Sequence, residues 1–480
     1  MAETREPIDF ASGQKSSSDP LGGSIPRTVN MLVDITGAMH LRPGISAWSD
    51  FGPTPSLDAS TSIDGIQAWN GYVVYVSSDR RLHAQLSPGY GIDISDGTAD
   101  TQLDGGGRPV FYAARTRVVI AGAGLIQKWE GPGAGLSARL GGNPPAASHV
   151  VAISQRLVVN PLGLSGQIMW SDVGDIGNET WSGFTVPNFL ELSSDPDPLT
   201  ALYSNTGEII GIGTRTVQTL DPDPTEIFLP VRTWTQGSGA PYSVAQNDET
   251  FAFLDNLKRI QLSDGRQYTP ISDPAITDSL KQLTTVSDCW GFRMAIGSWD
   301  LLGFHFPTEG RTFVYDTTAK QWQEWAGFAG GNFAGWMAKS HYHWPEQDLH
   351  LIGLGDGTVA KMDVNAVTDM GQPIVAEAVS GFNDFGTDVW KQHISTRFYF
   401  RRGVGSGVAP GPQCQLFWRD GPGAWQGPES LSLGDPSDQA PVVEIRSLGI
   451  YRMRQYRLRM SDSVPLTFVR AIETFEPGEM

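Results

Sequence analysis

Few residues in this chain have the types and spacing that chemistry needs. His341-Tyr-His343 puts two imidazoles on one face of a strand, because strand side chains alternate, and His350 follows closely. Such a group could hold a metal, yet the spacing forces no third ligand. Histidines beside Trp344-Pro345 serve packing equally well. Asp195-Pro-Asp-Pro198 and Asp221-Pro-Asp-Pro224 are acidic enough for calcium. They lack the glycine-centred loop spacing of a calcium site, and Asp-Pro initiates turns. Bond hydrolysis between two carboxylates needs a defined pair, and 52 acids single out none. Neither a Gly-x-Ser-x-Gly nucleophile elbow nor a phosphate-cradling Gly-x-x-x-x-Gly-Lys-Ser/Thr loop occurs. The sequence therefore assigns no catalytic residue, no cofactor and no metal site.

The one pattern with electrostatic content is Ile450-Tyr-Arg-Met-Arg-Gln-Tyr-Arg-Leu-Arg-Met460, which carries Arg452, Arg454, Arg457 and Arg459. Simple alternation puts Arg452 and Arg454 on one face and Arg457 and Arg459 on the other. A bulge near Gln455 would bring all four to one face, as a basic stripe between subunits. A plain solvated strand face is the alternative.

That stripe lies in an unusual background. Lys+Arg number 34 against 52 Asp+Glu, for a net charge of −18. Residues 391–475 run the other way, with eleven basic against seven acidic residues, so the rest of the chain carries about −22. The net charge argues against tight nucleic-acid binding over the whole surface, because that affinity comes from cations displacing counterions. Cys289 and Cys414 cannot build a disulfide framework or a four-cysteine zinc site, which suits a reducing compartment. The N-terminus lacks the apolar core of a signal peptide, and no stretch approaches the length of a transmembrane helix.

The elements that must position any site are strands. At 480 residues the chain is long enough for about three domains, or for one large β domain and a smaller one. Fifteen Trp argue for a real core, and 56 Gly with 32 Pro for many turns. Pairs of short apolar runs flank turns such as Asn70-Gly71, with starts near residues 66, 111, 150, 200, 243, 292 and 335. A period in the forties with several strands per unit predicts an all-β chain with a β-propeller of about seven blades. A run of sandwiches is the competing architecture. Ser171-Asp172 through Trp181 partly resembles the Asp-box hairpin of sialidase-like propellers, a folding element. One helix is expected over Ala275–Leu283, capped by Asp273 with Pro274 at its first turn. The resulting division is an extended N-terminal arm over 1–60, the propeller over 61–375, and a C-terminal β-sandwich-like domain over 376–480.

The ordered motifs resemble a known family. Arg27-Thr-Val-Asn-Met-Leu-Val33, then Leu41-Arg-Pro-Gly-Ile45, is similar to the N-terminal signature of the packaged-DNA stabilisation proteins of short-tailed phages. Gly211-Ile-Gly213 before Thr216-Val-Gln, Ser272-Asp-Pro-Ala-Ile-Thr-Asp-Ser279, and Gln455-Tyr-Arg-Leu-Arg459 before Val464-Pro-Leu-Thr467 resemble its later segments. The resemblance implies a propeller-bearing tail hub, or nozzle, without catalysis. It implies a homo-oligomeric ring of six copies in the virion tail, assembled in the host bacterial cytoplasm, below the portal and its adaptor protein. Such a ring retains packaged DNA, anchors tailspikes or fibres, meets a needle or plug, and passes genomic DNA during ejection without reading its sequence. Two other classes fit the bare pattern. One is a carbohydrate-binding or glycan-cleaving propeller with aromatic platforms such as Trp322, Trp325 and Trp336; the other is a general scaffold propeller.

Overall fold

The computed structural model describes residues 3–10, 27–48, 61–86, 91–164, 166–173, 183–184, 188–192, 197–223, 227–246, 249–401, 411–434, 437 and 442–478. Strands dominate, as the alternating apolar runs require. The helix Pro274–Gln282 forms where expected, with the Asp273 carboxylate accepting the Ile276 N–H at 2.8 Å. No helix among the described residues is long and apolar enough to cross a membrane.

Among the described residues, six sets of four consecutive antiparallel strands follow one another, within residues 63–93, 110–139, 147–191, 199–234, 245–270 and 290–324, the first five as separate four-stranded sheets and the sixth as part of a larger one. Each is a blade of four consecutive strands. The sequence pattern suggested about seven such units, and the count of blades built this way is six. The last unit has three consecutive strands, Ala338–Trp344, Leu349–Leu354 and Val359–Asp363, and takes a fourth from Gly44–Ala47. This composite sheet closes the ring, since Ala338–Trp344 lies beside Ile63–Trp69, the first strand of the first blade. Apolar layers fill the spaces between blades. Val74, Leu82, Val118 and Ile120 pack between the first two, and Leu202, Ile209 and Phe228 meet Val158 and Trp170 further round.

The N-terminal segment departs from the extended arm expected over residues 1–60. Its apolar residues Val29, Met31, Leu32, Val33 and Ile45 are buried, so the chain threads through the fold instead of lying on it. The strand Arg27–Val29 pairs in parallel with Gln321–Glu324, the outer strand of the sixth blade. On its other side it pairs with Ala376–Val379. The sixth blade and the C-terminal unit thereby share one nine-stranded sheet. A seven-stranded sheet, with Lys391–Phe400 and Thr467–Pro477 at its centre, packs on the C-terminal part of it. Phe398, Phe400, Leu416, Tyr456, Leu458 and Phe468 fill that sandwich.

The two N-terminal motifs meet in one buried knot. Asn30 is fully buried and its amide is saturated. Its Nδ2 donates to the Ala326 and Val375 carbonyls at 2.8 Å each, and its Oδ1 accepts from the Ala326 N–H and Arg42 Nε at 2.9 Å each. Arg42 continues to Asp369 with two hydrogen bonds, of 3.0 and 2.5 Å. Gly44 must lack a side chain, because a Cβ there would stand 2.2 Å from the Thr368 carbonyl oxygen.

Candidate functional site: an arginine–aromatic ladder

The strand Arg454–Met460 lies between Gln413–Asp420 and Ala376–Val379. Its register with Gln413–Asp420 is continuous from Met460 to Arg454, so the bulge that would unite four arginines is absent. Tyr456, Leu458 and Met460 enter the sandwich core. Gln455, Arg457 and Arg459 face the other way, as period two dictates.

Arg454 therefore leaves the expected stripe. It is fully buried, donates from Nε and Nη2 to the Asp420 carboxylate at 2.6 and 3.1 Å, and reaches the Leu448 carbonyl at 2.9 Å. A buried, paired guanidinium cannot touch another subunit. Arg452 is exposed but separate: it stacks 4.9 Å over Trp390, with Asp388 4.0 Å away. Only Arg457 and Arg459 share a face.

Neighbours that the arginine pattern did not signal complete the site. The register lines up Arg27, Val379, Arg457 and Phe417 across four adjacent strands, and Glu324, Val29, Glu377, Arg459 and Gln415 across five. Arg419 stands opposite Gln455 on the same face, and its Nε donates to the Gln455 amide oxygen at 2.8 Å. Cations and rings then alternate. Arg459 lies 5.7 Å over Phe333 and 5.9 Å over Phe417. Arg457 lies 4.1 Å over Phe417 and 4.5 Å over Trp425. Arg419 lies 4.8 Å over Trp425 and 5.1 Å over Phe382. Each contact is within the range where the ring quadrupole attracts a cation.

The ladder is electrically uneven. At one end Arg459 pairs with Glu377 at 2.6 Å, and Arg27 and Arg311 both pair with Glu324 at 2.7 Å. At the other end Arg457 and Arg419 have no carboxylate within 4 Å among the described residues. Burial lowers the pKa of both guanidinium groups from its ordinary value. Arg457 Nε is buried with no hydrogen-bond partner among the described residues. The arrangement can bind anions, and among the described residues two of its cations have no paired carboxylate.

The remaining candidates are structural. His341 Nε2 and His350 Nδ1 are 3.0 Å apart, and His350 Nε2 lies 2.7 Å from the Ala295 carbonyl oxygen, so the three nitrogens form a hydrogen-bonded chain. Among the described residues no group of three or more His, Cys, Asp or Glu is placed to hold a metal ion. Asp197 accepts from the Thr214 and Thr216 hydroxyls and from the Arg215 and Thr216 N–H groups, which makes it a turn fastener. Asp195, Pro224 and residues 175–181 of the Asp-box segment lie outside the described residues. Trp322, Trp325 and Trp336 are 3%, 1% and 2% exposed. They belong to the core, so the platforms of the carbohydrate reading do not exist at those positions.

No curated protein matches the chain. Among solved structures it is similar to the computationally designed Ika8 protein, at 13% identity over 65% of this chain and 98% of that one, with a TM-score of 0.39. The Neurospora crassa Pan2 WD40 domain gives 11% identity, 67% and 94% coverage, and 0.40. BamB from Moraxella catarrhalis gives 9%, 76% and 98%, and 0.41. The family model described as bacteriophage P22 Gp10, beta-propeller, matches residues 101–347, just over half of the chain. The protein belongs to that family of phage structural propellers.

Proposed function

We propose that the protein is the hub of a short phage tail, a non-enzymatic ring of six copies below the portal and its adaptor that retains packaged DNA. The family match over residues 101–347 carries this reading. The fold suits it mechanically. A shared nine-stranded sheet ties the sixth blade to the sandwich, so load passes between them through backbone hydrogen bonds and not through a flexible linker. Charge suits it too. Six copies carry −108, and an acidic channel wall would repel phosphate and let DNA slide during ejection. Copies of such a ring meet through two different surfaces, and the basic C-terminal unit and acidic propeller are complementary in sign. Tailspikes or fibres outside and a needle or plug below are the further partners of this reading.

The test is genetic. Phage lacking this chain should package DNA and then lose it, giving empty heads. Full, stable heads without the chain would contradict a retention role.

A further inference from the structure

We propose that Arg457 and Arg419 receive carboxylates from an acidic surface of an adjacent copy of this chain. The proposal rests on the ring reading and gives that contact its residues. Within one copy the two cations stand at the uncompensated end of the ladder, without a carboxylate within 4 Å among the described residues. Their neighbours Arg459, Arg27 and Arg311 already have Glu377 and Glu324. The difference matters because a half-buried cation without a paired carboxylate has lost hydration that ring contacts restore only in part. Trp425 lies between the two guanidinium groups, at 4.5 Å from one and 4.8 Å from the other. Stacking on a ring face holds a guanidinium in place and leaves its edge donors free for a planar carboxylate. Trp and Arg are also the residue types that dominate interface energetics.

The charge distribution selects the occupant. Residues outside 391–475 carry about −22, so a second copy offers abundant carboxylates. A second copy also brings surfaces of opposite sign together, because residues 391–475 are net basic and the remainder is net acidic, whereas a polyphosphate gains only the basic part and is repelled by the rest. An acidic protein surface of the same chain is therefore favoured over nucleic acid.

The experiment compares the full-length protein with Arg419→Met/Arg457→Met, which keeps the stems over Trp425, and with Arg452→Met as a control outside the ladder. Self-association is followed by mass photometry from low salt to about 1 M NaCl, where screening shortens to about 3 Å. Thermal melting checks that each variant folds, and fluorescence anisotropy measures binding of a labelled single-stranded oligonucleotide. The wild type should associate at low salt and lose association as salt rises. The double variant should associate at least about tenfold more weakly, with a flatter salt dependence, while Arg452→Met matches the wild type. Equal association of a folded double variant would overturn the assignment and leave the ring standing. A wild type that stays monomeric throughout would overturn the contact between copies, and the ring reading with it. Oligonucleotide binding that the double variant abolishes, with association unchanged, would reassign the site to phosphate.

Discussion

Arg42 and Asp369 form a two-pronged ion pair, 3.0 and 2.5 Å long, across 327 residues of sequence. Arg42 is 1% exposed and lies 5.5 Å over Trp325. The pair fastens the N-terminal segment to the composite sheet that closes the propeller. Removing one partner of a buried pair strands the other charge, which costs about 3–5 kcal/mol. Arg42→Met and Asp369→Asn should each lower unfolding stability by that amount in urea titrations. A loss below about 1 kcal/mol would mean that the knot is dispensable.

Gly44 tests the same closure sterically. A Cβ at this position meets the Thr368 and Ala366 carbonyl oxygens at 2.2 and 2.8 Å. Both are backbone atoms and cannot swing aside. Gly44→Ala should destabilise the protein by about 3 kcal/mol, at the upper end of overpacking costs. Proteolysis near residues 44–47 should accelerate, because among the described residues this is the one strand of its sheet supplied from the other end of the chain. Wild-type protease resistance would show that closure does not depend on the strand.

Acid should weaken the fold through buried histidines. Burial lowers the pKa of His149, His350 and His393 to about 4 and of His305 to about 3. At His393 the geometry explains the preference for the neutral ring: Nδ1 accepts the Leu448 N–H at 3.1 Å, and Nε2 contacts the Thr396 hydroxyl at 2.8 Å. The unfolded chain takes up these protons from about pH 6.5 downward, whereas the folded chain resists until about pH 4. Stability is therefore lost as pH falls between those limits, by up to about 1.4 kcal/mol per pH unit for each such group. His393→Gln should flatten this slope in melts between pH 4 and 7. An unchanged slope would remove His393 from the account.

Glu473 acts in the opposite sense. Its carboxyl is fully buried beside Tyr451 and Tyr456, and burial raises its pKa to about 7. The folded chain holds this proton up to about pH 7, whereas the unfolded chain releases it near 4.5. Its contribution is thus present below about pH 4.5 and lost as pH rises toward 7. Glu473→Gln should be more stable than the wild type at pH 8 and close to it at pH 4.5. A variant destabilised at pH 8 would show that the ionised carboxylate is what the sandwich uses.

The parts of the fold written in local pattern were legible in the sequence. Alternating apolar runs and turns such as Asn70-Gly71, with φ of 48° and 80°, gave the blades their spacing. Asp273 and Pro274 marked the helix. The threading of residues 27–47 was not legible, because a three-residue strand between two distant partners leaves no periodic signal. The arginines were only half legible. Alternation placed Arg457 with Arg459, but the role of Arg454 depends on Asp420, and the ladder depends on Arg419, Trp425 and Phe333 from other elements. Register decides such contacts, and register is a property of the paired strands.

The proposed role puts this protein in the virion tail. Purified virions should be imaged with an antibody against this chain, and the labelled position averaged around the tail axis. Label at the tail collar with sixfold symmetry is the predicted result. Particles without label, or label confined to the capsid shell, would contradict the account.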